Sequence, residues 1–445
     1  MTYLLGVLLV AVGIGLSIGL HEIGHLVPAK KFGLRVPQYM IGFGPTLWSR
    51  RFGETEYGVK AIPLGGYIRM IGMFPPRPGQ DPMMMRSSST GRFNQLMDEA
   101  RKASLEEMRP GDENRVFYRL STPKKVAIMM GGPLMNLLIA VIIFTGIFTL
   151  HGISTTTPQL ASVSECVDFT TAAQSTKTEC TPDMQDSPAH AAGLLPGDTI
   201  RSINGTPTRT WDDVRAAIRT NLDKPMRLVV DRDGQVLTKT AEPIVLDLPV
   251  YDDSGRVVED ADGNAVTEKA GFLGTTGTQV LQRQPVTAVP ALLGDQVKQT
   301  VVAVAQIPSK LVGVYHAAFS GAERDAESPM SVVGVGRVAG EVVSAEELGG
   351  VTDKAIFLLG LIGSLNYMLF VFNMIPLLPL DGGHVAGALW EGLKRTWARL
   401  RGLPDPGHVD VAKALPVAYA VASAFIVMTV LLVYADLVNP VRLLG

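Results

Sequence analysis

Thr2-Tyr-Leu-Leu-Gly-Val-Leu-Leu-Val-Ala-Val-Gly-Ile-Gly-Leu-Ser-Ile-Gly-Leu20 runs without a break into His21-Glu22-Ile23-Gly24-His25. The first part has the length of a helix that crosses the hydrocarbon core, which takes about 20 apolar residues. The second part is the pattern H-E-x-x-H. On a helix, positions i and i+4 share a face, so His21 and His25 can grip one ion through a ring nitrogen each. Glu22 sits beside that face and can reach a metal-bound water. Two imidazoles and a carboxylate at the end of a membrane span are costly unless they are used. A snorkelling polar helix end is the plainer alternative. The segment resembles a secretory signal in length, but it has no basic leader and no small-residue cleavage site. It is therefore expected to be retained.

Three further stretches are long and uncharged, near Val126–Leu150, Ala355–Leu380 and Ala414–Ala435. The whole chain of 445 residues is 47% hydrophobic and 18% charged, with mean hydropathy +0.22. Buried helices of a soluble core are the alternative, yet uncharged runs of this length are rare there. The expected fold is a multi-pass α-helical membrane protein with four transmembrane helices. A net charge of -2 gives no reason to expect a nucleic-acid partner.

Lysine and arginine set the orientation. Lys30, Lys31, Arg35, Arg50 and Arg51 follow the first span, and Arg119, Lys124 and Lys125 precede the second. Lys394, Arg395, Arg399 and Arg401 follow the third. Both regions are expected in the cytoplasm, with the long intervening segment and both termini outside. That outer segment holds Cys166 and Cys180, which form either a disulfide or two free thiols.

The expected divisions are a first span at 1–27, a cytoplasmic loop at 28–123 and a second span at 124–150. An outer domain follows at 151–284, then an amphipathic region at 285–353. A third span at 354–381, a cytoplasmic loop at 382–412, a fourth span at 413–436 and a tail at 437–445 complete the chain. In the first loop, short apolar runs alternate with Gly and Pro as in hairpins. A helix is expected near Phe93–Glu107. In the outer domain, Trp211–Thr220 reads as a short amphipathic helix, and a hairpin is expected to turn at Asp233-Gly234. The helical spacing of Val297, Val301, Val304, Ile307, Leu311 and Val314 suits either the membrane surface or packing against the outer domain.

A catalytic zinc site keeps three protein ligands and one open position. The third span ends Asn373-Met-Ile-Pro376-Leu-Leu-Pro379-Leu-Asp381-Gly-Gly-His384. Asp381 is a lone carboxylate at membrane depth. Pro376 and Pro379 break the helix there, and Gly382 and Gly383 permit close approach. His384 competes as the ligand, and Asp381 as a plain helix cap is the structural alternative. A peptide bond to be cut must lie extended at the metal, so Ile62–Ile68, with Gly65 and Gly66, is a candidate edge for holding substrate by strand addition. Asn373 is a candidate to bond the unwound substrate backbone.

These residues resemble the site-2 protease family of intramembrane metalloproteases, in the bacterial branch that processes anti-sigma factors. The resemblance covers His21–His25, Ile41–Pro45, Gly53–Met70, Gly131-Gly-Pro-Leu-Met-Asn136 and Asn373–Gly383. It implies Zn2+ on His21, His25 and Asp381, with Glu22 as the general base for attack by zinc-bound water. It implies a membrane-associated β-hairpin around Gly65 and Gly66. The implied substrates are single-pass membrane proteins, anti-sigma factors among them, first trimmed by an upstream site-1-type protease, and the implied location is the plasma membrane. Ser187–Asp198 with Ile200–Gly205 resembles a circularly permuted bacterial PDZ domain, present once here as in actinobacterial members. Thr155–Asp186 and the region of Met83–Met85 depart from the common pattern. The PDZ domain is expected either to bind peptide tails, through a carboxylate loop near Ala161–Val167, or to filter substrates by the size of their external parts. A scaffold would need neither Glu22 nor Asp381, and a metal transporter would want polar residues in several spans.

Overall fold

The computed structural model describes residues 2–76, 92–105, 108–167, 180, 184–222, 224–251, 257–258, 265–321, 324–325, 328–345 and 349–441. Met83–Met85 and part of the 155–186 region lie outside these residues. The chain forms two compact units, residues 1–147 with 286–445, and residues 148–285.

The first unit opens with helix α1 (Thr2–Lys31), which continues past 27 through Pro28. Strands β1 (Gln38–Phe52) and β2 (Thr55–Arg69) pair antiparallel. The β2 strand curls, so that Gln38–Ile41 is flanked on one side by Glu56–Val59 and on the other by Gly66–Arg69. Helix α2 (Arg92–Leu105) follows, close to the stretch expected. Helix α3 (Thr122–Gly146) starts with Pro123 in its first turn, where the missing N–H costs nothing.

The second unit is a mixed body built on one sheet. Its elements are β3 (Ile153–Val163), β4 (Cys166–Val167), β5 (Gln185–Asp186), α4 (Pro188–Ala191), β6 (Thr199–Ile203), β7 (Thr206–Pro207), α5 (Trp211–Arg219), β8 (Met226–Arg232), β9 (Gln235–Ala241), β10 (Ile244–Pro249), β11 (Thr267–Phe272) and β12 (Thr275–Gln282). The main path runs β12-β3-β6-β8-β9, leaving β12 as an edge strand. The β8–β9 hairpin turns at Asp233-Gly234, both with positive φ, as a two-residue primed turn requires. Thr210 and Asp213 form a capping box on α5. Leu160, Ile200, Val214, Leu228 and Val230 fill the core with no more than 1% exposure; each such side chain contributes about 1.5–3 kcal/mol. Asp198 is fully buried beneath Arg232, at 2.6 and 2.8 Å, and accepts the Leu195 N–H at 2.9 Å. Burial pushes its carboxyl up; the guanidinium and the amide outweigh this and hold it below the ordinary value. Cys166 and Cys180 are joined in a disulfide.

The chain then returns to the first unit with α6 (Val289–Phe319), α7 (Val332–Ser344), α8 (Val351–Asn373), α9 (Asp381–Leu400) and α10 (Leu415–Val438). Two expectations change here. The third apolar helix stops at Asn373 instead of 381, because Pro376 and Pro379 cannot continue it. The stretch expected as a loop at 382–412 begins as helix α9, built from Ala, Leu, Trp and Arg on a helical period.

Among the described residues five helices, where four were expected, are long and apolar enough to cross a membrane. The additional one, Val286–Phe319, has a mean hydropathy of 1.2, against 2.1–2.4 for the others. Leu8, Leu16, Ile142, Ile426 and Val430 stand about three-fifths exposed on these helices. So broad an apolar surface suits lipid.

Helices α1 and α8 run parallel. Val10 and Ile14 pack with Leu358, Leu361 and Leu365, and Ser17 accepts from Asn366 at 2.9 Å. Helix α3 runs antiparallel to both, since Gly24 meets Gly131 while Phe144 stacks on Tyr367. At the far end of α10, Asp436 takes Arg324 at 2.6 Å and the N–H and hydroxyl of Ser331 at 2.7 and 2.6 Å. That buried cluster fastens the start of α7 to α10.

Candidate metal centre

The site begins with a contact between backbones. A Cβ on Gly24 would lie 2.2 Å from the Gly131 carbonyl oxygen, and one on Gly131 would lie 2.0 Å from that of Gly24. Paired glycines therefore let α1 and α3 approach closely. The approach lays Gly132 under both histidines, where a Cβ would stand 2.2 Å from His25 Nε2 and 2.7 Å from His21 Nε2. In the sequence this Gly-Gly pair stands out only as part of the family resemblance.

His25 is buried, and its Nδ1 lies 2.7 Å from the Ile128 carbonyl oxygen. An N–H on Nδ1 donates to that oxygen, leaving the Nε2 lone pair for a ligand. Asn136, fully buried on α3, places its amide 3.1 Å from His21 Nδ1, and its Oδ1 has no partner. With a metal on His21 Nε2 the proton resides on Nδ1. The acceptor it then needs is Asn136 Oδ1, half a turn of the amide away. Sequence reasoning assigned neither Asn136 nor the Ile128 carbonyl a role. The GGPLMN run was the one available signal.

Asp381 arrives from the other side. A Cβ on Gly382 would be 2.3 Å from the Ile375 carbonyl oxygen, and one on Gly383 would be 2.6 Å from the Leu378 nitrogen. The loop after α8 thus folds back tightly over the start of α9, whose first residue is Asp381. Its Oδ2 lies 3.3 Å from Nε2 of both His21 and His25, and those nitrogens are 3.1 Å apart. Tetrahedral zinc with ligands at about 2.0–2.1 Å has edges of about 3.3–3.4 Å. The triangle therefore fits one zinc ion, and among the described residues these three form the group that could hold a metal. His384, the competing candidate, is half-buried with its Nδ1 enclosed and unpartnered, and it is not part of that group.

Glu22 is half-buried beside the triangle. A Cβ on Gly66 would lie 3.2 Å from Glu22 Cγ, so a side chain at 66 would crowd the carboxylate. Gly65 has φ +107 and backs onto Phe43. The curl of β2 thus brings Gly66 to Glu22. Asn373 ends α8 and is half-buried.

Comparison with known proteins identifies the family of the chain. Residues 9–402 match peptidase family M50. The chain is 32% identical over 446 residues to zinc metalloprotease Rip1 of Mycobacterium tuberculosis strain H37Rv, covering 100% of both chains. It is 34% identical over 456 residues to Rip1 of Mycolicibacterium smegmatis, again with full coverage of both. It is also 24% identical over 391 residues to metalloprotease MmpA of Caulobacter vibrioides, covering 84% of this chain and 83% of that one.

Proposed function

The chain belongs to the peptidase M50 (site-2 protease) family and is a zinc metalloprotease; from that premise we propose that it cleaves transmembrane segments of single-pass membrane proteins, anti-sigma factors among them, after an upstream protease has trimmed their outer parts. The observation that carries this reading is the 3.1–3.3 Å triangle of His21, His25 and Asp381 at the end of an apolar helix.

His21, His25 and Asp381 hold the ion. Zinc, when bound, supplies Lewis acidity that makes water a better nucleophile and polarises the scissile carbonyl. Glu22 accepts a proton from the water as its oxygen adds to the carbonyl carbon. It then delivers that proton to the departing amide nitrogen as the C–N bond breaks. Asn136 and the Ile128 carbonyl hold the histidine rings in their ligand tautomers.

The substrate helix unwinds and adds as a strand beside Gly66–Arg69, an outer edge of the curled hairpin. Asn373 bonds its freed backbone. Helices α1, α3, α8 and α10 are the four spans. In support, the chain leaves the bundle at the end of α3 and re-enters at the start of α8 on the same side, so α6 makes no net crossing. The end of α6 packs on the end of α10 through Val314, Ala318, Leu432 and Ala435, as a helix along the outer surface would. The residue 148–285 unit is an extracytoplasmic PDZ domain in the plasma membrane protein, with both chain termini outside. Its β12 edge lies beside α5, where Trp211 covers Gly277.

Purified Glu22→Gln reconstituted with a membrane-embedded test substrate checks the catalytic assignment. Zinc content should stay at the wild-type level while cleavage falls by at least about 10²–10⁴-fold. Undiminished cleavage would remove Glu22 from the mechanism.

A further inference from the structure

Helix α9 carries a face that the described residues leave open. At 100° per residue, Leu389, Trp390, Leu393, Trp397 and Leu400 fall in one stripe about 100° wide. Each is more than half exposed. The opposite side is occupied, for Glu391 binds Lys125 of α3 at 2.8 Å and Gly392 lies against Thr122. Cations border the stripe. Lys394 Nζ sits 5.5 Å from the Trp390 ring, and the Arg401 guanidinium sits 4.2 Å from the Trp397 ring.

Indoles beside lysine and arginine, on a helix docked to a membrane-spanning neighbour, make up the composition of a helix in the headgroup plane. We infer that α9 lies in the leaflet where α1 ends, with its Trp390–Trp397 face among acyl chains and with Lys394 and Arg401 on anionic phospholipid headgroups. Asp381 is the first residue of this helix. Lipid that fixes α9 therefore fixes the third metal ligand, and an anionic leaflet strengthens the hold on zinc. The inference rests on the membrane-embedded reading given above.

The test uses the full-length protein in nanodiscs of phosphatidylcholine with or without phosphatidylglycerol. The chain has two cysteines, joined to each other, so Leu393→Cys supplies a single thiol for a nitroxide. That label should be reached by oxygen and shielded from a water-soluble nickel chelate. A label open to the chelate overturns the inference. So does spin–spin broadening between two copies, which would assign the face to protein contact. Zinc loss to a competing chelator should be several-fold slower with phosphatidylglycerol, and Lys394→Gln with Arg401→Gln should abolish the difference. Equal loss rates in the two lipids overturn the coupling to Asp381. Neither readout requires Glu22, so failure here leaves the peptidase reading standing. Failure of the Glu22→Gln test likewise leaves the lipid result standing.

Discussion

Gly132→Ala adds one methyl group to a helix and should empty the metal centre. In an α-helix the change gains about 0.8–1 kcal/mol of intrinsic propensity. The new Cβ, however, would stand 2.2 Å from His25 Nε2 and 2.7 Å from His21 Nε2. Zinc itself sits about 2.0–2.1 Å from such nitrogens, so the methyl group takes the space of the ion. His25 cannot swing aside without giving up its 2.7 Å bond to the Ile128 carbonyl oxygen. Overpacking costs about 1–3 kcal/mol, so the net change in stability is about 0–2 kcal/mol destabilising and the fold survives. Loss of a residue that only orients a ligand lowers metal affinity about 10–100-fold, and direct occupation of the site should exceed the upper figure. The assay is zinc per chain by mass spectrometry on purified protein, with thermal unfolding in parallel. A well-folded Gly132→Ala protein carrying one zinc per chain would refute the placement of α3 beneath the histidines.

Three further outcomes are expected. Asn136→Ala should weaken zinc binding by about 10–100-fold while leaving the fold intact, because His21 Nδ1 loses its partner; unchanged affinity in a chelator titration would contradict this. Lys125→Met should destabilise the protein by about 3–5 kcal/mol, since it leaves the Glu391 carboxylate buried without its 2.8 and 2.9 Å partner; an unchanged unfolding midpoint would mean that His408 and Arg395 suffice. Burial pushes the Glu391 carboxyl up, but His408, Lys125 and the Val409 N–H hold it down to about 2, from an ordinary 4.5. A depressed carboxylate stabilises the fold above its unfolded value and loses that contribution as pH falls through the folded one, so unfolding between about pH 4.5 and 2 should be blunted in Glu391→Gln, and identical acid-unfolding curves would count against it.

The apolar runs, the H-E-x-x-H pattern and the lone Asp381 were legible because each is local. A helical period of 3.6 places His21 and His25 on one face whatever else the chain does. Proline dictates where α8 must stop, although the expected end at 381 overran the actual one at Asn373. The stretch after Asp381 read as loop because its charges masked an amphipathic helix whose buried side is completed by Lys125 on α3.

Sequence alone thus determined the first apolar helix, the placing of two histidines on one of its faces, and the family, since these follow from residue identity and short spacing. Tertiary structure alone decided that Asp381 and not His384 meets the two histidines, that Asn136 and the Ile128 carbonyl lie against the two rings, and that a side chain at Gly132 would crowd both. The reason is physical. These contacts join residues more than a hundred positions apart, and they form because paired glycines let two backbones nearly touch. No periodicity along one chain encodes which small residue will meet which.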